Sequence, residues 1–268
     1  MAELKGPFFF TGSIGNIRAY YNKTLKRYIL AVKGGSTKDL IENNPAFVRQ
    51  LENMSEFKAC AIWASQLRKS LVSITHLHQG YYFSDIVAMG KSIQKHDDDH
   101  VKGKRSLESS KDARLLTTLN FNQLHPFDQV LTHQYDILFS EDKKTVTLKM
   151  LGFKSYSRIN WPTRVDSYRI ALVIAQLPDI VWGDAEERYL PYTPNMERLS
   201  VSTFSEWHPC STDKEDIILN ASFAEPALQQ PGTTVVVALG IEISTAGANS
   251  SSNSLSGYGT MKIAECFV

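Results

Sequence analysis

KGGSTKDLIENNPAFVRQLENMSEFKACAIWASQLRKSLVSI, residues 33–74, is the stretch around which the rest of the chain is organised. Lys33-Gly34-Gly35 and Lys38 lead to Asn44-Pro45-Ala46-Phe47. Asn44 suits an N-cap, and Pro45 suits the first helical position, where a missing N–H costs nothing. Phe47, Leu51, Met54, Phe57, Ala61, Ala64, Leu67, Leu71 and Ile74 then recur at steps of three and four. That period predicts one long amphipathic helix packed along a single stripe, with Leu51, Phe57, Leu67 and Leu71 as its buried seam. Arg49, Glu52, Glu56, Lys58, Gln66, Arg68 and Lys69 fall on the opposite face.

Downstream, His78-Gln79-Gly80 breaks the pattern. Ser84 is read as the cap of a second helix with Phe83, Ile86, Val87, Gly90 and Ile93 on its apolar face, which makes an αα-hairpin. Ala59, Ala61, Ala64 and Ser65 would let the second helix come close. Lys95 to Lys111 is charge-dense and reads as an exposed loop. From His133 onward the period changes to that of strands, at 135–139, 145–150, 168–176, 198–204, 216–223, 233–244 and 259–267. Polar turns separate them, among them Pro178-Asp179, Pro194, Pro226, Pro231-Gly232 and a Ser/Asn-rich tip at Asn249–Ser256. Thr233–Ile243 is apolar on both parities and is expected at the centre of a sheet. The expected fold is α+β: an N-terminal β-ribbon and αα-hairpin over 1–111, then an antiparallel β-sandwich over 112–268.

The first residues carry the charge asymmetry. Residues 1–39 hold seven Lys/Arg against Glu3 and Asp39, a net of +5, and the remainder holds 22 basic and 26 acidic side chains, a net of −4. Strand-like runs at 8–11, 17–21 and 27–32 surround a tip at Asn22-Lys23-Thr24, with Arg18, Tyr20, Tyr21, Lys23, Lys26, Arg27 and Tyr28 interleaved. These seven are the candidate interaction residues. A basic arm on an acidic body suits contact between copies. Stacking of bases on Tyr20, Tyr21 and Tyr28 is the nucleic-acid alternative, possible but not favoured.

Gly12-x-Ile14-Gly15-Asn16, Tyr20-Tyr21, Lys33-Gly34-Gly35, Lys38, Pro45-Ala46-Phe47, Arg49, Asn53, Glu56-Phe57 and Arg68 together resemble the opening of an uncharacterised protein family widespread in Bacteroidota. In that family a GxIGxxxxY ribbon leads to KGG, then PAF, then a helix with Asn-x-x-Glu-Phe and a later Arg. Gln50-Leu51 departs from the pattern, which has an Arg near Asn53. The resemblance covers the first 70 or so residues and implies an architecture without an assigned activity.

Candidate chemistry is sparse. His76 and His78 lack further ligands at zinc-like spacing, and Lys95-His96-Asp97-Asp98-Asp99-His100 lacks the glycine-turn spacing of a calcium loop, so it reads as a solvated charge run. In Trp182-Gly183-Asp184-Ala185-Glu186-Glu187-Arg188-Tyr189 the two glutamates are adjacent, so on a strand they point oppositely and cannot flank one glycosidic bond. That stretch is expected as a polar loop on the rim of the sandwich. Sugar binding by Trp161, Trp182 or Trp207 is a further alternative. No Gly-x-Ser-x-Gly and no P-loop occur, and Cys60, Cys210 and Cys266 are expected as free thiols. No catalytic, cofactor or metal residue is assigned and no cofactor is expected. The expectation is a non-enzymatic structural or interaction protein, self-assembling or part of a phage-like or secretion-like particle. No run approaches a membrane span and no signal peptide is read, so a cytoplasmic location is expected, with no membrane contact.

Overall fold

The computed structural model describes residues 2–3, 9–80, 82–142, 144–192, 200–224, 231–245 and 258–268. Pro194, Pro226 and the Asn249–Ser256 tip lie outside them. The chain is α+β. It divides into two compact units, 1–51 and 52–268, and the division expected at 111/112 falls inside the second.

The first unit is a four-stranded antiparallel sheet of β1 (Ala2–Glu3), β2 (Gly12–Ile14), β3 (Ile17–Asn22) and β4 (Arg27–Val32), in the order β1-β4-β3-β2. A short helix, α1 (Lys38–Asn43), follows, capped by Thr37 Oγ1, which accepts from the Leu40 N–H at 3.3 Å. Asn44 does act as a cap, accepting from the Ala46 N–H at 2.9 Å, but of a 3-10 turn at Pro45–Phe47 that precedes the long helix.

That helix, α2, spans Val48–Ser70, and a second, α3, spans Tyr82–Gln94. The buried stripe of α2 is Glu56, Ala59, Cys60, Trp63, Ala64, Leu67 and Ser70, continued by Leu71 and Ile74. Leu67 and Leu71 therefore sit in the core as expected, but Phe57 and Met54 are 58% and 47% exposed and Leu51 is half-buried. The helix is rotated from the expected face because Trp63, fully buried, occupies the centre of the interface. Its ring meets Gly90 of α3: a Cβ on Gly90 would come within 3.1 Å of both Trp63 Cε3 and Leu107 Cδ1. The close approach thus depends on a glycine in α3, and Cys60–Gln94, Glu56–Lys91 and Arg68–Phe83 contacts pair the two helices along their length.

Below the helices lie β5 (Asp136–Phe139), β6 (Thr145–Phe153), β7 (Val165–Pro178), β8 (Ile180–Gly183), β9 (Arg188–Pro191), β10 (Ser200–Phe204), β11 (His208–Pro209), β12 (Glu215–Ser222), β13 (Thr233–Thr245) and β14 (Gly259–Phe267). They form one sheet ordered β10-β7-β13-β14, with β11 also on β7, and another ordered β12-β6-β5, both antiparallel. Alternation along β7 and β13 sends Ala171, Val173, Leu177, Val236 and Ala238 to the helices. It sends Ile170, Leu172, Ile174, Val235, Val237, Leu239 and Ile241 to the second sheet, against Val146, Leu148, Met150, Phe153, Ile217 and Leu219. β13 is central, as its apolar character on both parities predicts.

Two expected loops are different. Trp182–Tyr189 is a hairpin between β8 and β9, with Trp182 paired to Tyr189 and Glu187 in the left-handed region at φ 50°, so both glutamates sit in its turn. Lys95–Lys111 is exposed only in part, with residues 98–102 at the surface and Asp97, Gly103 and Ser106 buried. Leu107 and Ser109 are fully buried, and Leu107 exchanges backbone hydrogen bonds with Ile180 at 2.7 and 2.9 Å.

Leu67→Ala is expected to destabilise the chain by about 2–5 kcal/mol, the range for emptying a core site. Phe57→Ala should stay within about 0.5 kcal/mol, as exposed positions do. Urea denaturation of both variants checks this, and equal losses would restore the original seam.

Candidate interaction surface

In the N-terminal sheet, side chains alternate and cross-strand partners share a face. The pairs Ile17↔Val32, Ala19↔Leu30 and Tyr21↔Tyr28, with Ile14 opposite Ile17, put Ile14, Ile17, Ala19, Tyr21, Tyr28, Leu30 and Val32 on one face. Arg18↔Ala31, Tyr20↔Ile29 and Asn22↔Arg27 put Arg18, Tyr20 and Arg27 on the other. Tyr21 and Tyr28 meet edge to face at 5.1 Å, and Phe9 lies 4.9 Å from Tyr28. Arg18 sits over the Tyr20 ring at 5.0 Å. Lys23 and Lys26 occupy the turn, where Asn22 Oδ1 accepts from Thr24 N at 3.0 Å and Leu25 N at 2.9 Å and Lys26 takes a φ of 50°. The seven sequence-assigned residues are therefore divided into an aromatic pair, a basic cluster with Tyr20, and a cationic tip.

The apolar face is open. Ile14 and Val32 are each 66% exposed, and Ile17 and Tyr21 are also exposed; among the described residues of this unit, Ala19 and Ile29 alone are buried.

The second unit holds charge in its interior. Glu56 is 1% exposed. Its Oε1 accepts from Gly103 N at 2.9 Å and Arg105 Nε at 2.7 Å, and its Oε2 from Arg105 Nη2 at 2.8 Å and from Lys91 Nζ. Burial alone would push its carboxyl up, but donors from Arg105, Lys91 and Gly103 outweigh it and hold the group at about 2. Asp97 accepts from Ser106 N, His100 Nδ1 and two further backbone N–H groups. Asp179 accepts from Ser110 N at 3.0 Å and Oγ at 2.5 Å and from Ser109 Oγ at 3.1 Å; burial pushes its carboxyl up against those bonds. Each of these carboxylates accepts several hydrogen bonds from backbone and side-chain donors of the same unit.

The other candidates are dispersed. His76 Nε2 lies 3.0 Å from Glu242 Oε1, while His78 Nδ1 contacts the Thr75 carbonyl. Trp161 packs on His125 at 4.6 Å, Trp182 donates to Asp184 at 3.0 Å, and Trp207 lies 5.1 Å from Arg169. Cys60 is buried, with its thiol pushed up to about 11 by burial, and Cys266 is pushed to about 12 by the same cause. Among the described residues no three His, Cys, Asp or Glu are placed to hold a metal ion. A cleft of about 700 Å³ lies between residues 110–115, Phe139, the end of β14 and Val268. A second, of about 840 Å³, runs between α2 and α3, lined by Phe57, Phe83, Ser84, Val87, Ala88 and Lys91. No described helix is long and apolar enough to cross a membrane.

The Glu56 cluster is absent from a reading by charge alone, which put Glu56 in water. Its spacing was the available signal, since Glu56, Cys60, Trp63, Leu67 and Ser70 follow steps of three and four on one face.

Glu56→Gln should lower stability at neutral pH by about 2 kcal/mol, because Lys91 and Arg105 lose a charged acceptor. A depressed carboxyl stabilises the fold above its ordinary range and loses that contribution as pH falls from about 4.5 towards about 2. The wild-type denaturation midpoint should therefore fall more steeply than the variant's over that window; parallel curves would refute the assignment. A scan against protein-family models finds no match, and neither the curated proteins nor the solved structures yield a significant match to this chain.

Proposed function

We propose that the chain is a non-enzymatic assembly subunit: a helical hairpin on a β-sandwich, joined to neighbouring copies through its N-terminal ribbon. The observation that carries this reading is the open apolar face of Ile14, Ile17, Tyr21 and Val32 on a sheet whose described residues bury only Ala19 and Ile29. A sheet with so little core is marginal by itself and gains stability when another surface covers it. Among the described residues the edge strand β2 is paired on one side only, which leaves backbone for the same purpose. The +5 of residues 1–39 against the −4 of the rest favours a neighbouring copy as the cover.

A second reading rests on the opposite face, where Arg18 and Arg27 flank Tyr20: a basic, aromatic surface for single-stranded nucleic acid.

Light scattering at several salt concentrations should show an oligomer that weakens as salt rises. Ile17→Ser with Val32→Ser, or deletion of 1–32, should give a monomer with the circular dichroism of the second unit retained. A full-length chain that is monomeric at every salt concentration overturns the assembly reading. Salt-sensitive binding of labelled oligothymidylate, lost in Arg18→Glu with Arg27→Glu, would instead favour the second reading.

A further inference from the structure

The outer side of the helical layer carries large apolar side chains among its polar ones, where a solvated helix surface is ordinarily polar. Phe57 and Met54 on α2 are 58% and 47% exposed, and Phe83 on α3 is 39% exposed. Phe57 and Phe83 line a groove of about 840 Å³ whose polar lining is Ser84 and Lys91 alone. Its floor is one face of α3, Phe83, Ser84, Val87, Ala88 and Lys91 at steps of one, three and four, with Phe57 of α2 beside it, a helical strip that matches another helix laid along it. A small polar ligand would require converging hydrogen-bond groups that this lining lacks.

Charge selects the occupant. At one end Lys91 belongs to a cluster in which two cations, Lys91 and Arg105, share the single carboxylate of Glu56, leaving a net +1. Towards the other end Arg68 lies over the Phe83 ring at 5.7 Å, and among the described residues it has no carboxylate within salt-bridge distance. Asp85 of α3 does not line the groove. A second copy docked face to face would set these cations against one another, so the groove is poorly suited to self-pairing.

We propose that the α2–α3 groove binds an amphipathic helix of another protein, with large apolar side chains on one face and Asp or Glu flanking them. Phe57 and Phe83 anchor the apolar face, and Lys91 and Arg68 receive the carboxylates. This surface is independent of the N-terminal ribbon.

A phage-displayed library of helical peptides selected on the full chain tests it, followed by fluorescence anisotropy with the selected peptide. Enrichment of apolar residues at i, i+3 or i+4, and i+7 with acidic flanks is expected. Phe57→Ser or Phe83→Ser should weaken the peptide by about tenfold or more, the loss typical of a central aromatic anchor. Arg68→Glu should weaken it further at low salt than at high salt. Both aromatic positions are exposed, and circular dichroism controls for folding. No enrichment, enrichment of basic helices, or binding unchanged by Phe57→Ser overturns the proposal. So does a homo-oligomer that dissociates on Phe57→Ser alone, or Phe57-dependent binding to phosphatidylserine vesicles, since the occupant would then be a second copy or a lipid surface.

Discussion

The pairing of β7 with β13 is the constraint on which the second unit depends. Thirteen residues of β13 run antiparallel to β7 with one irregularity, at Ser244/Thr245. Residues 170–178 of β7 and 233–243 of β13 are buried without exception, so every side chain along those stretches must fit a packed layer. The two faces solve different problems. Towards the second sheet stand Ile170, Leu172, Ile174, Val235, Val237, Leu239 and Ile241, branched residues that interdigitate with Val146, Leu148 and Met150. Towards the helices Ala171, Ala175, Ala238 and Gly240 stand among Val173, Leu177 and Val236, the small residues leaving room for the helical layer to approach. At Gly240 the fit is closest: a Cβ would meet Leu77 Cδ1 at 2.8 Å and Ile74 Cγ2 at 3.4 Å.

That asymmetry explains what the sequence disclosed and what it hid. Strands with a strict two-residue period, or apolar on both parities, were legible because their neighbours impose that pattern directly. The face of α2 was not. Phe57 and Met54 extend the same three–four series as Leu67, and periodicity has no means of separating an apolar side chain packed on the sheet from one left outside. Trp63 decided the rotation, and it fell between the chosen positions. The β8–β9 hairpin was hidden for a related reason: Trp182 and Tyr189 face each other across only four intervening turn residues, Asp184–Glu187, together with Gly183 and Arg188. On the candidate surface, the seven ribbon residues were identified by type and order, but their division between two faces required the register.

The segment at 95–111 shows why polarity misleads about exposure. Its Gly, Ser and Arg residues are donors, and the buried carboxylates of Glu56, Asp97 and Asp179 accept from Gly103 N, Arg105, Ser106 N, Ser109 Oγ and Ser110 N. At Glu56 and Asp97 the donors outweigh the penalty of burial, whereas at Asp179 burial prevails over them, and removing one partner would leave the other stranded. The same Glu56 that fixes Gly103 and Arg105 also fixes Lys91 at the end of the apolar groove. A scaffold interaction therefore sets the electrostatics of a surface.

In the ribbon the opposite logic holds. Residues that alternate in sequence separate in space, because a strand turns successive side chains to opposite faces. The interleaving of tyrosines with arginines in 18–28 therefore resolves into one face that is apolar and aromatic and another where Arg18 and Arg27 stand with Tyr20. These two faces contribute differently to an association. The apolar face offers area whose removal from water stabilises a complex, at about 25 cal/mol per Å² before the cost of ordering is counted. The basic face, with Lys23 and Lys26 at the turn, acts at longer range, orienting an approaching acidic body without needing contact. In the proposed association, steering and adhesion fall to different sides of a single thin sheet, so a substitution on one side is expected to change rate and salt dependence while a substitution on the other changes lifetime.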